Sequence, residues 1–188
     1  MMPLAVSHGQ SVAATEMVQI PAGAFSMRSE DGPQDERPQH IVQLAAYWID
    51  RTPVTNAQFA QFLNAIGSQG ERYYDIDGND SRVHRRDGKW SADSGSENHP
   101  VDGFPKGASP YGVLDMAGNG WEWISSAYLP YPYDAKEGRE DLTREQVRGT
   151  RGGGHDSRPE ELTTTHRGRQ VSRNSRGGHH NIGFRCAR

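Results

Sequence analysis

Asp115-Met116-Ala117-Gly118-Asn119-Gly120-Trp121-Glu122-Trp123 sets two tryptophans around one acid, directly after a run of small, flexible positions. In an extended segment Trp121 and Trp123 share one face and Glu122 takes the other. The glycines let backbone carbonyls turn inward, and Asp115 and Glu122 add carboxylates, which together would make an oxygen cage for a hard cation. The alternative is an ordinary strand with Glu122 hydrogen-bonded to backbone.

Downstream, Arg151-Gly152-Gly153-Gly154-His155-Asp156-Ser157-Arg158 and Gly178-His179-His180-Asn181-Ile182-Gly183-Phe184-Arg185-Cys186 bracket a stretch rich in Arg, Ser, Thr, Asn and His. So polar a segment, closed by a strand-like end, is predicted to be a long displayed loop held by a rigid scaffold, where binding residues concentrate. Upstream, Thr55-Asn56-Ala57-Gln58 is a capping box. Phe59, Phe62, Leu63 and Ile66 follow at helical spacing and Gly67 ends the helix, so one clear helix with a core-facing aromatic stripe is expected. Met17 to Met27 is predicted as two short strands forming a hairpin around Pro21-Ala22-Gly23, and His40 to Asp50 as a further strand. Arg28 to Gln39 is expected to be an exposed loop and residues 1–15 a flexible N-terminus. Asp75, Asp77, Asn79 and Asp80 lack the glycine and glutamate offsets of a helix-loop-helix calcium site and are assigned to a solvated turn. Ser91 to Asn98 completes a polar linker.

The 188 residues suit one domain, here 16–188. A hydrophobic fraction of 33% with 22 glycines points to a loop-rich chain with few long helices. The net charge of −3 gives no general argument for nucleic acid or membrane. The basic run has no interleaved aromatics, so nucleic-acid binding is not expected. The sole cysteine, Cys186, excludes an intrachain disulfide and a multi-thiolate metal site. With neither a signal-peptide pattern nor a bilayer-length apolar run, the expectation is a cytoplasmic protein.

Ile20-Pro21-Ala22-Gly23-Ala24-Phe25, Pro53-Val54-Thr55-Asn56, Asn98-His99-Pro100-Val101, Gly112 to Trp123 and Asn181 to Cys186 together resemble the formylglycine-generating enzyme (sulfatase-modifying factor) family, in the family's order. The resemblance implies an α+β, C-type-lectin-like fold with small antiparallel sheets. It also implies a structural Ca2+ held by the Asp115 side chain, the Gly118 and Gly120 carbonyls and Glu122. The enzymes of that family bind copper through two cysteines after a Gly-Gly-Ser segment. Setting Gly152-Gly153-Gly154 on that segment puts Ser157 and Leu162 at the cysteine positions, so no copper is expected: Cu(I) needs soft ligands. The family's additional helix between His-Pro-Val and the Trp-Glu-Trp motif is also missing, which would leave apolar surface for a partner to cover. Cys186 belongs to the closing motif and is expected to be buried.

With the cysteines replaced, no catalytic residue is assigned. The expected activity is ligand or protein binding through segment 154–181, by His155, Asp156, Ser157, Arg158, His166, Arg167, Arg169, Arg173, Asn174, Arg176 and His179. Guanidiniums suit carboxylate, phosphate or peptide backbone, and the expected partner is a protein or peptide, a second copy of the chain included. The runner-up is a non-haem iron or copper oxidoreductase that modifies a peptide or small thiol, with imidazoles from the same segment.

Overall fold

The computed structural model describes residues 15–68, 83–92, 99–168 and 181–188. Two short ladders come first. β1 (Met17–Ile20) pairs antiparallel with β4 (Tyr47–Asp50), and β2 (Gly23–Met27) with β3 (His40–Leu44). The predicted hairpin between the first two strands does not form. Ile20 faces Tyr47 and Gly23 faces Leu44, so both ladders keep one register across the break. They form a single long ribbon, interrupted where Pro21, which has no N–H to donate, lies opposite Ala45-Ala46. The same interruption splits the strand predicted over His40 to Asp50.

The far edge of β4 is closed by the end of the chain. Trp48 and Arg188 exchange backbone hydrogen bonds of 2.8 and 2.9 Å, the Asp50 N–H donates to the Cys186 carbonyl (2.9 Å), and the Val54 N–H donates to Phe184 (2.9 Å). The buried Asp50 carboxylate accepts from the Cys186 N–H at 3.0 Å. Cys186 itself is exposed, contrary to expectation, although its backbone makes these contacts. Partial desolvation, helped by the Asp50 charge, holds its thiol above the ordinary cysteine range.

Helix α1 spans Asn56–Ala65 and carries the predicted capping box: the Gln58 N–H donates to Thr55 Oγ1 (3.2 Å) and the Thr55 N–H to Gln58 Oε1 (2.8 Å). Thr55→Ala is expected to cost about 1 kcal/mol in denaturant unfolding. The apolar stripe divides between two environments. Ala60 and Leu63 are buried against Val83 and Trp90, with Phe59 beside them, whereas Phe62 and Ile66 stay 47% and 58% exposed. The surface beneath α1 is a hairpin not expected from the sequence, β5 (Val83–Arg86) and β6 (Lys89–Ala92), turned at Asp87-Gly88 with both φ positive. The Asn64 amide locks helix to hairpin, accepting from the Trp90 N–H and donating to its carbonyl, each at 2.8 Å. The turn assigned to Asp75–Asp80 lies outside the described residues.

The third sheet builds the site. β7 (Trp121–Ala127) is its centre, antiparallel to β8 (Arg148–Arg151) and parallel to the short β9 (Ile182–Gly183). The fold is therefore the expected loop-rich α+β arrangement with one α-helix among the described residues, except that β7–β9 is parallel. No helix of the described residues is long and apolar enough to cross a membrane.

Candidate functional site

At the start of β7, Asn119 joins two of the sequence motifs: its side chain accepts from the His99 N–H (3.0 Å) and donates to the His99 carbonyl (3.1 Å). The Asp115 carboxylate accepts from the Asp102 N–H at 2.9 Å. Glu122 gives both carboxylate oxygens to Arg185, at 2.7 Å from Nε and 2.5 Å from Nη2, and Arg185 Nη2 also reaches the Asp115 carbonyl (3.2 Å). The positive charge facing Glu122 is thus a guanidinium of the closing segment. Of the four residues expected to hold calcium (Asp115, Gly118, Gly120 and Glu122), Glu122 does not fit a calcium ion as it stands: its carboxylate is already paired with Arg185, which also takes the Asp115 carbonyl. Glu122 is also not the strand acid bonded to backbone that was the alternative.

The loop after β8 passes through Gly152 and Gly153, both at positive φ. A Cβ on Gly153 would lie 2.5 Å from Leu162 Cδ2 and 3.4 Å from Ser157 Oγ. The two positions that the resemblance assigns to copper-binding cysteines therefore flank one glycine from the same side. Neither fits copper. Ser157 Oγ accepts from the Gly154 N–H (3.0 Å) as the brace of a turn, and Leu162 offers only methyl groups.

Beside Ser157 opens a cleft of about 360 Å³, lined by Pro33, Asp35, Trp121, Asp156, Ser157, Glu161, His166 and Gly168. Its walls are fixed from behind. Arg151 Nη1 donates to the carbonyls of Thr165 and His166, each at 2.8 Å. The His166 ring is held at Nδ1 by the buried Glu36 carboxylate, 3.0 Å away. Asp156 Oδ1 accepts from the Asn181 amide (2.9 Å), Glu161 Oε2 from the Arg158 N–H (2.9 Å), and Asp35 Oδ2 from the Tyr128 hydroxyl (2.6 Å).

Of the binding residues read from the sequence, Asp156, Ser157 and His166 line this cleft. His155 is partly buried in the adjoining turn, and Arg158 is exposed and contributes its backbone N–H. Arg167 is not displayed. It is 3% exposed, its guanidinium is stacked 3.8 Å over Tyr128, and its Nη1 donates to the Leu129 carbonyl (3.0 Å). Burial lowers its pKa. Arg169, Arg173, Asn174, Arg176 and His179 lie outside the described residues. The segment expected to be an exposed loop, Arg28 to Gln39, supplies two buried groups instead: Glu36, and Arg28, stacked 3.2 Å over Tyr131 with its pKa lowered to about 10 mainly by burial. Asp35 and Glu36 escape a sequence reading because their partners, Tyr128 and His166, stand 93 and 130 residues away. No local pattern announces such a pairing.

A family model described as "Sulfatase-modifying factor enzyme 1-like domain" matches residues 4–104 and 66–188. Serine/threonine-protein kinase pkn1 of Chlamydia caviae is 31% identical over 238 aligned positions that take in 93% of this chain and 38% of the kinase. Formylglycine-generating enzyme of Mycobacterium tuberculosis is 47% identical over 53 residues, 28% of this chain and 18% of that protein. This chain thus spans well under half the length of the curated relatives it matches. Because 238 positions cover 93% of only 188 residues, the alignment with the kinase contains dozens of positions with no residue of this chain opposite. Among solved structures, PvdO from Pseudomonas aeruginosa superposes with a TM-score of 0.63 at 20% identity, covering 93% of this chain and 94% of PvdO. Treponema denticola variable protein 1 gives 0.58 at 15%, covering 95% and 97%. At such identities these two speak for the fold alone.

Proposed function

The chain belongs to the sulfatase-modifying factor enzyme 1-like family, and from that premise we propose that it is a binding member: its cleft beside Ser157 holds a protein or peptide partner and does not make formylglycine with copper. The observation that carries this reading is the pair Ser157 and Leu162 against Gly153, which stands where the resemblance sets the family's two cysteines and offers no thiolate. The ring of pinned side chains around the cleft supports recognition, since groups already fixed lose little entropy when a ligand arrives. The exposed Phe62 and Ile66 offer a partner additional apolar area.

Anaerobic titration with Cu(I) against a chromophoric chelator tests the proposal. The chain is expected to take up no tightly bound copper, whereas Ser157→Cys with Leu162→Cys is expected to bind one equivalent. Tight copper on the unmodified chain, together with oxidation of a cysteine peptide, would sink the reading.

A second reading, a non-haem iron or copper oxidoreductase acting on a peptide or small thiol, draws on one observation. The His166 ring is oriented by a buried carboxylate, as metal-binding imidazoles are. Against it, no three His, Cys, Asp or Glu side chains among the described residues converge as a ligand set. Stoichiometric iron in the purified protein, lost on His166→Ala, would decide for it.

A further inference from the structure

We propose that the outward face of α1 is a contact surface for a second copy of this chain. None of its residues lines the cleft, and it does not depend on the binding role proposed above. Phe62 and Ile66 stand four residues apart, so they share one side of the helix, and they are 47% and 58% exposed. Phe62 stacks on Phe59 with ring centroids 6.2 Å apart, and Phe59 meets Phe184 edge-on at 5.9 Å. Phe184 is itself 36% exposed. A single exposed phenylalanine is ordinary, but three joined rings and an isoleucine make a patch.

The charge pattern points to what covers it. From Thr52 to Ser68 the sequence has no Asp, Glu, Lys, Arg or His, in a chain in which 24% of residues are charged. A helix that meets water on its outer face ordinarily carries charges there, often as pairs four residues apart. A different protein would be steered to this surface by opposite charge, and α1 offers none. Contact across a two-fold axis sets the reverse demand. Side chains near the axis meet their own kind, so any charge there would face a like charge. A wholly neutral helix meets that condition.

The shape suits a second copy as well. Ala57, Gln61 and Ala65 are exposed in one row along α1, kept shallow by the alanines, and Phe62 and Ile66 form the raised row beside it. A ridge next to a groove lets two antiparallel helices interdigitate, the ridge of each in the groove of the other. The opposite side of α1 is already taken by the β5–β6 hairpin, through Ala60, Leu63, Val83 and Trp90. Ser68 and Val83, which flank residues 69–82, are both held on that hairpin side. The Ser68 carbonyl accepts from the Trp90 indole N–H at 3.1 Å, and Val83 is buried with Ala60 and Leu63.

Sedimentation equilibrium of the purified chain tests this. A monomer–dimer exchange with a dissociation constant of about 10–100 μM is expected, the weak end of what a small interface gives. Phe62→Glu and Phe62→Lys should each weaken it by about tenfold or more, by setting like charges across the axis, and an equimolar mixture of the two should recover the dimer. Such rescue requires a face that meets itself. Because Phe62 is 47% exposed, both variants should melt within about 2 °C of the parent at concentrations where all three are monomers. A parent that stays monomeric up to about 1 mM would overturn the proposal. So would a mixture of the two variants that stays monomeric, or a dimer that both substitutions leave intact, which would place the contact elsewhere. A monomer that Phe62→Glu strongly destabilises would overturn it too, by showing that the chain covers this face itself.

Discussion

Arg185→Met is expected to destabilise the chain by about 3–5 kcal/mol, the cost of leaving a buried carboxylate without its partner. The Arg185 side chain is 4% exposed and that of Glu122 15%, so solvent screens the pair little. Arg185 also donates to the Asp50 and Arg51 carbonyls (3.3 and 3.4 Å) and to that of Asp115. One guanidinium therefore ties the start of β7 to the segment after β4. The double variant Arg185→Met, Glu122→Met should recover a good part of the loss, because two apolar side chains leave no unpaired charge. Urea unfolding of both singles and the double gives the coupling directly. Calcium enters as a control: it should neither raise the melting temperature of the unmodified chain nor rescue Arg185→Met. A calcium-dependent rise in the unmodified chain would restore the cation site and displace Arg185 as the counter-charge of Glu122.

Gly168→Ala is expected to cost about 2–4 kcal/mol through overpacking. A Cβ there would overlap Thr150 Oγ1 and lie 2.9 Å from the Trp121 ring. Neither neighbour can retreat. Thr150 and Trp121 are buried, and the Gly168 N–H is bonded to the Thr150 carbonyl at 3.0 Å. Thr150 Oγ1 is itself a buried hydroxyl without a partner among the described residues. Adding Thr150→Ala to Gly168→Ala should therefore return much of the stability, by removing the clash and the orphaned hydroxyl together. Thermal unfolding of the three variants checks it. If Gly168→Ala melts within about 2 °C of the parent, the close approach is not what that position requires.

The parts of the fold that the sequence announces are those governed by neighbours. Thr55 and Gln58 cap α1 three residues apart, and the motifs around Asn119 and Trp121 identify the family at short range. The ribbon is harder, because alternation around Pro21-Ala22-Gly23 looks the same whether β1 and β2 pair with each other or each pairs with a strand beyond them. Asp87-Gly88 is a legible turn signal, but the two short runs beside it hold so few apolar residues that they do not read as strands. The arginines mislead for one reason. Arg28, Arg139 and Arg167 count as surface charge in any composition argument, yet each is buried against tyrosine rings that supply the favourable face. The cleft is hidden likewise, since Asp35 and Glu161 arrive from segments far apart in the chain.

The stitching of residues 184–188 onto β4 bears on the order in which the protein can be assembled. Asp50 finds its Cys186 partner across 136 positions, so the ribbon made first during synthesis must wait for residues made much later. Pairings of such long reach close slowly, because the intervening chain loses its freedom before the contacts form. Until Phe184 to Arg188 are in place, one edge of β4 presents unpaired backbone donors and acceptors, the surface on which incomplete chains pair with one another. A fragment ending before Phe184 should therefore accumulate as aggregate even if every residue of its cleft is present.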